Sequence, residues 1–227
     1  MKVNFKAKPR VEMINGKIPV LVIDDFYLDP DNVRERALQG HFERMEAGYP
    51  GRHEPLDILE NDDLLIAMTY LREVIQIAAR KTFDLEELST DFSVLTTPSK
   101  SVHKTQSHPH TDGVALAGII YLNPENMGGT CIYNNKILDS IVLNRSNRAA
   151  YDRLVSDNEF KNTDGYISDS FDMWEKVYTS EGKYNQLVMY TGNLFHSVNV
   201  IKDPDPSDLS KARLTQRIFV NKLTKID

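Results

Sequence analysis

A single cysteine, Cys131, stands in the 227 residues, so no intramolecular disulfide can form. The chain has no run of Lys and Arg, and no basic stripe interleaved with aromatics that would follow a phosphate backbone. Its 27 basic and 33 acidic side chains leave a formal charge of −6, which makes nucleic acid an unexpected partner. It also lacks an apolar stretch long enough to cross a bilayer and a signal-peptide pattern at the start, so the expected location is the cytoplasm, away from membranes. No long segment is compositionally simple, and no internal repeat is present. Hydrophobic residues at 41% and charged residues at 26% are ordinary for a globular chain, and one compact domain over 1–227 with a substantial core is expected.

What is present divides into two textures. In the front part, residues 1–91, an apolar run from Ile18 to Ile23 reads as a strand, and "LDPD" precedes a helix starting near Asn32 with Val33, Ala37 and Leu38 on one face. "YPGRHEP" at 49–55 reads as a loop because of its Pro and Gly. Leu64, Leu65, Met68, Leu71, Val74, Ile75 and Ala78 recur at helical spacing behind Asn61 or Asp62 as a cap, which predicts a helix packed on a sheet. From residue 92 to 223 the runs become short and rich in β-branched and aromatic residues, separated by Gly, Pro and Asn. That texture predicts a mainly β sandwich or barrel with flanking helices. Between about 138 and 186 it breaks, and "NRSNRAAYDRLVSD" and "SDSFDMWEKVYTSEG" read as two helices inserted between strands; the region from Asn144 to Lys183 carries Arg145, Arg148, Tyr151, Arg153, Tyr166 and Trp174. Covering a sheet edge is their expected work, although inserted segments near a site often carry specificity.

The segment "SHPHTDGVALAGIIYLN", 107–123, carries His108, His110 and Asp112 ahead of an apolar strand. On extended backbone alternate side chains share a face, so His110 and Asp112, about 7 Å apart, can converge on one cation. A polar turn in front of a core strand is the competing reading. His196, set among apolar residues in "LVMYTGNLFHSVNV", completes two imidazoles and one carboxylate, the set that holds non-haem Fe(II) facially and leaves positions open. Downstream, "KARLTQRIFVNKL" places Arg213, Thr215 and Arg217 on one strand face, where a guanidinium beside a hydroxyl suits a carboxylate. Gly128 and Gly129 lack the spacing and the Lys of a phosphate loop and read as a turn between strands.

The order HxD, "YLN", "GGT", distal His and RxT resembles the 2-oxoglutarate- and Fe(II)-dependent dioxygenases, particularly their prolyl-hydroxylase-like branch, over residues 92–223. The front part, "VIDDFYLDPDNVRERAL" and then "YPGR", resembles a little-characterised bacterial and phage group of that superfamily. The resemblance implies a double-stranded β-helix, a jelly-roll, cupin-like barrel, with His110, Asp112 and His196 on iron. It further implies Arg213, assisted by Thr215 and Tyr121, on the distal carboxylate of 2-oxoglutarate. The connection from His196 to Arg213 is longer than the resemblance would suggest, and Arg217 is an alternative to Arg213. His108 is expected to be structural or to support the ligands, with His103 as the secondary alternative for that place. Asp112, where related halogenases carry a small residue, points to hydroxylation or another oxidation.

The implied chemistry uses bound Fe(II), consumes 2-oxoglutarate and O2, releases succinate and CO2, and oxidises a C–H bond of a small molecule, amino acid or peptide. Two alternatives keep the barrel: a non-catalytic cupin-like binding protein, and a hydrolase or isomerase using the same triad with another divalent ion. An RxT strand distinguishes them, since neither needs an arginine one cosubstrate length from the metal. Self-association into a homodimer stays open.

Overall fold

The chain begins its sheet earlier than the texture of its sequence suggests. The computed structural model describes all residues except 45–48, 158, 159, 162 and 227. In chain order it contains β1 (Pro9–Ile14), β2 (Ile18–Ile23), α1 (Pro30–Leu38), β3 (Gly51–Leu56), α2 (Asp62–Ala79), β4 (Phe83–Leu95), α3 (Lys104–Ser107), β5 (Leu116–Tyr121), β6 (Thr130–Asn135), α4 (Arg148–Ser156), β7 (Trp174–Thr179), β8 (Leu187–Thr191), β9 (His196–Val198) and β10 (Arg213–Lys225). Asn15 and Gly16, at φ 49° and 69°, supply the left-handed turn that folds β1 onto β2. The described strands form a seven-stranded antiparallel sheet in the order β1-β2-β8-β5-β10-β4-β3 and a three-stranded antiparallel sheet in the order β7-β6-β9. None of the described helices is long and apolar enough to cross a membrane.

The two helices of the front part form where their caps and apolar spacing require. Asp29 accepts from the Asn32 amide at the start of α1, and Asn61 accepts from the Leu64 amide at the start of α2. Val33 and Ala37 of α1, with Ala67, Met68, Leu71 and Ile75 of α2, bury against one face of the large sheet, at Leu116, Ile120, Leu187, Met189 and Ile218. Each large side chain among them contributes on the order of 2 kcal/mol by leaving water. Leu65 and Ala78, expected on the packed face of α2, point to solvent.

The opposite face of the large sheet is the interior. Val20, Val22, Ala117, Tyr121, Val188 and Tyr190 pack there with Ile132 of the small sheet and Leu194 beside it. The outer face of the small sheet, at Cys131 and Tyr133, is covered by Leu143, Tyr151, Leu154 and Trp174. The inserted segment therefore supplies the edge strand β7 of the small sheet and shields its outer face, and α4 is its described helix.

Three readings of the sequence need correction. Residues 51–56 form β3 and not a loop; the strand lies at the edge of the large sheet, where the missing amide of Pro55 costs no ladder bond. The segment read as a second inserted helix contains β7. Asp172 at φ 51° makes a turn that no helix continues through, and Trp174, Glu175, Lys176, Tyr178 and Thr179 pair with β6 instead, around a register shift at Val177. The change of texture at residue 92 falls inside β4, which pairs with β10 continuously from Phe83 to Leu95 except for a skipped position near Glu87.

Candidate metal centre

The interior ends in a pocket of about 620 Å3, its open mouth included, lined by residues from both sheets. His196 opens β9, and its imidazole Nδ1 donates to the Leu194 carbonyl at 2.9 Å, which turns Nε2 inward. His110 lies opposite, and the two residues exchange both backbone hydrogen bonds, each 2.9 Å long. The Asp112 amide donates to Gly192 at 2.9 Å, holding the carboxylate beside them. Its oxygens lie 3.6 Å from His110 Nε2 and 3.3 Å from His196 Nε2. One ligand atom from each of the three residues falls within 4.8 Å of the others, so the two histidines and the aspartate form a three-point donor set open toward the pocket. Burial works against charge on His196 and on Asp112, but their mutual attraction wins, raising His196 and lowering Asp112 to about 2.

Arg213 begins β10 and enters the same pocket, 5% exposed. Its Nε and Nη2 donate to the carbonyls of Gly128 and Gly129 at 3.2 and 3.1 Å, and its guanidinium lies 5.4 Å from the centre of the Tyr121 ring. The paired glycines are needed by the neighbouring backbone: a Cβ on Gly129 would stand 2.2 Å from the Ser180 carbonyl and one on Gly128 1.8 Å from the Asn199 carbonyl. Among the described residues no carboxylate lies within ion-pair distance of Arg213, which leaves a buried cation held only by neutral groups. Arg217 differs. Its Nε and Nη2 grip Asp91 at 2.9 and 2.6 Å, and Nη2 also donates to His53 Nδ1.

Thr215 lines the pocket, with its hydroxyl 3.5 Å from the Ser93 carbonyl. The Tyr121 hydroxyl is engaged with Thr130 and Ser180 at 3.0 and 2.7 Å. His108 turns away from the triad: Nε2 donates to the Lys161 carbonyl, Nδ1 accepts from Trp174 Nε1, and the ring stacks on Phe160. His103 is exposed and caps α3. Several lining residues, among them Tyr49, Gln106, Phe219 and Tyr190, are not singled out in the sequence. Tyr190, in the middle of an apolar strand, has the pattern of a core aromatic, and only its surroundings distinguish it.

A family model matches residues 5–220. The chain belongs to DUF6445, a family of unknown function. No curated protein matches this DUF6445 chain. Among solved structures it is similar to the non-haem α-ketoglutarate-dependent epimerase SnoN from nogalamycin biosynthesis, at 12% identity and a TM-score of 0.51, over 89% of this chain and 78% of that one. It is similar to the carbocyclase SnoK from the same biosynthesis, at 11% identity and a TM-score of 0.51, over 92% and 80%. A Pseudomonas putida prolyl-4-hydroxylase matches at 15% identity and a TM-score of 0.49, over 92% and 93%. The two sheets of this DUF6445 chain are a jelly-roll double-stranded β-helix, as the sequence led us to expect.

Proposed function

We propose that this chain is an Fe(II)- and 2-oxoglutarate-dependent oxygenase that oxidises a C–H bond of a small molecule, amino acid or peptide. The observation that carries the reading is Arg213. A buried guanidinium without an acidic partner is costly, and an anionic ligand in the pocket would offset that cost. The donor set fits Fe(II), since two imidazoles and one carboxylate leave coordination positions for a chelating 2-oxo acid and O2. The order of HxD, Tyr121-Leu-Asn, Gly-Gly-Thr, His196 and the Arg213 strand supports placement in the prolyl-hydroxylase-like branch.

In this reading His110, Asp112 and His196 hold the metal, and the bond from His196 to Leu194 fixes the tautomer that presents Nε2. Arg213 binds the far carboxylate with the guanidinium nitrogens that Gly128 and Gly129 leave free, and Thr215 lies on the same wall. Iron with the 2-oxo acid supplies O2 activation, with release of succinate and CO2. The pocket walls orient the ligand and limit water around it. Neither a cupin-like binding protein nor a triad hydrolase or isomerase requires the unpaired arginine.

Anaerobic addition of Fe(II) and 2-oxoglutarate should give a weak visible charge-transfer band, lost on replacing His110, Asp112 or His196 with Ala. The intact protein showing no band would overturn this reading. Succinate release against a panel of metabolites and peptides then identifies the substrate class.

A further inference from the structure

Among the described residues, two buried hydroxyls lining the pocket have no hydrogen-bond partner, those of Tyr49 and Tyr190. Tyr49 lies over the guanidinium of Arg217, 5.0 Å from ring centre to Cζ, beside a cation already neutralised. Tyr190 is 2% exposed, and its ring centre is 5.1 Å from that of His196. A buried phenol oxygen with nothing to bond loses its hydration without compensation, and native interiors rarely keep such a group.

The strand register places Tyr190 on the pocket wall. Tyr190 of β8 pairs with Ala117 of β5, which pairs with Phe219 of β10, and all three line the pocket. On this wall the small Ala117 side chain stands between the two aromatic residues. Four residues along β5 from Ala117, Tyr121 pairs with Thr215 and carries the Arg213 guanidinium over its ring. Asp112, Arg213 and Arg217 all act electrostatically on Tyr190. A ligand reaching from the triad to Arg213 therefore starts on a wall that Tyr190 shares with His196.

We propose that Tyr190 is a positioning residue whose phenol donates a hydrogen bond to the metal-chelating end of the 2-oxo acid, while Arg213 holds the opposite carboxylate. This rests on the function proposed above. The cosubstrate would then be fixed at both ends, with its chelating oxygens unable to swing away from the metal.

Tyr190→Phe removes one oxygen and keeps the ring against His196. Titrating 2-oxoglutarate calorimetrically into Mn(II)-loaded protein without O2 should show a dissociation constant about tenfold higher in the variant. The Mn(II) affinity and melting temperature should stay unchanged, and the visible band of the Fe(II) complex should move. Incorporating 3,5-difluorotyrosine at position 190, a stronger donor of similar shape, should tighten 2-oxoglutarate instead. Equal 2-oxoglutarate affinity and band position in wild type and Tyr190→Phe would overturn the inference and leave the oxygenase reading intact. A parallel loss of metal affinity and melting temperature would make Tyr190 structural and overturn it equally. Wild type that binds Mn(II) but no 2-oxoglutarate would defeat both readings.

Discussion

Arg213 and Arg217 project from the same face of β10 into one pocket, and Asp91 neutralises only Arg217. The two should therefore fail in opposite ways. Arg213→Met should raise the dissociation constant for 2-oxoglutarate about a hundredfold or more, because a buried charge pair loses one partner. The unliganded protein should be as stable as wild type or gain about 1 kcal/mol, because an unpaired buried cation has gone. Arg217→Met strands Asp91 and should cost about 2 to 4 kcal/mol of stability while changing 2-oxoglutarate affinity by less than about threefold. Urea unfolding and ligand titration of both variants check this; exchanged effects would reassign the carboxylate to Arg217.

His108 and His110 are two residues apart and should separate as cleanly. His108→Ala leaves the Trp174 indole N–H without its acceptor and opens space beside Phe160, so about 2 to 3 kcal/mol of stability should be lost with metal affinity nearly intact. His110→Ala should abolish metal binding at little cost to folding, since about half its side chain (52%) is exposed. Metal titration and denaturant midpoints on both proteins measure the contrast, and metal loss in His108→Ala would contradict it.

Burial, followed by the Arg217 guanidinium, holds His53 down at about 4. The unfolded chain takes up that proton near pH 6.5, so between the two values the unfolded state binds more protons. The neutral ring's contribution is complete above pH 6.5 and disappears as pH falls through 4, on the order of 3 kcal/mol in all. His53→Asn keeps an acceptor for Arg217 but cannot titrate, and should flatten the fall in urea midpoint between pH 6.5 and 4. Identical slopes in the two proteins would show that other groups set the acid limit.

The triad was legible because its signals are local: parity along one strand aligns His110 with Asp112, and His196 follows in order. Arg213 was legible as a candidate beside Arg217, but the choice between them depends on Asp91, which β4 brings alongside β10 from more than a hundred residues away. Strand pairing at that separation leaves no pattern in a single sequence. Tyr190 was missed for a related reason, since a phenol in "LVMY" looks alike whether its hydroxyl is bonded or not. The apolar spacing around Trp174 fits a helix almost as well as a strand, and the partner strand β6 decides between them. The β1–β2 turn was the avoidable omission, because Asn15-Gly16 between apolar runs is a strong hairpin signal.

The reciprocal backbone pair between His110 and His196 makes the spacing of two imidazoles a matter of sheet register. Lengthening a flexible connection raises its closure cost only logarithmically, by about 0.6 kcal/mol per doubling. Among the residues joining β6 to β8, the turns outside β7 and outside the Ile141 and Leu143 backbone bonds to Phe195 and Asn193 can therefore grow or shrink while the donor atoms keep their separation. Redesign of the cover over the small sheet is thereby decoupled from ligand geometry, and the chain offers a mount on which new outer surfaces can be tried without rebuilding the centre.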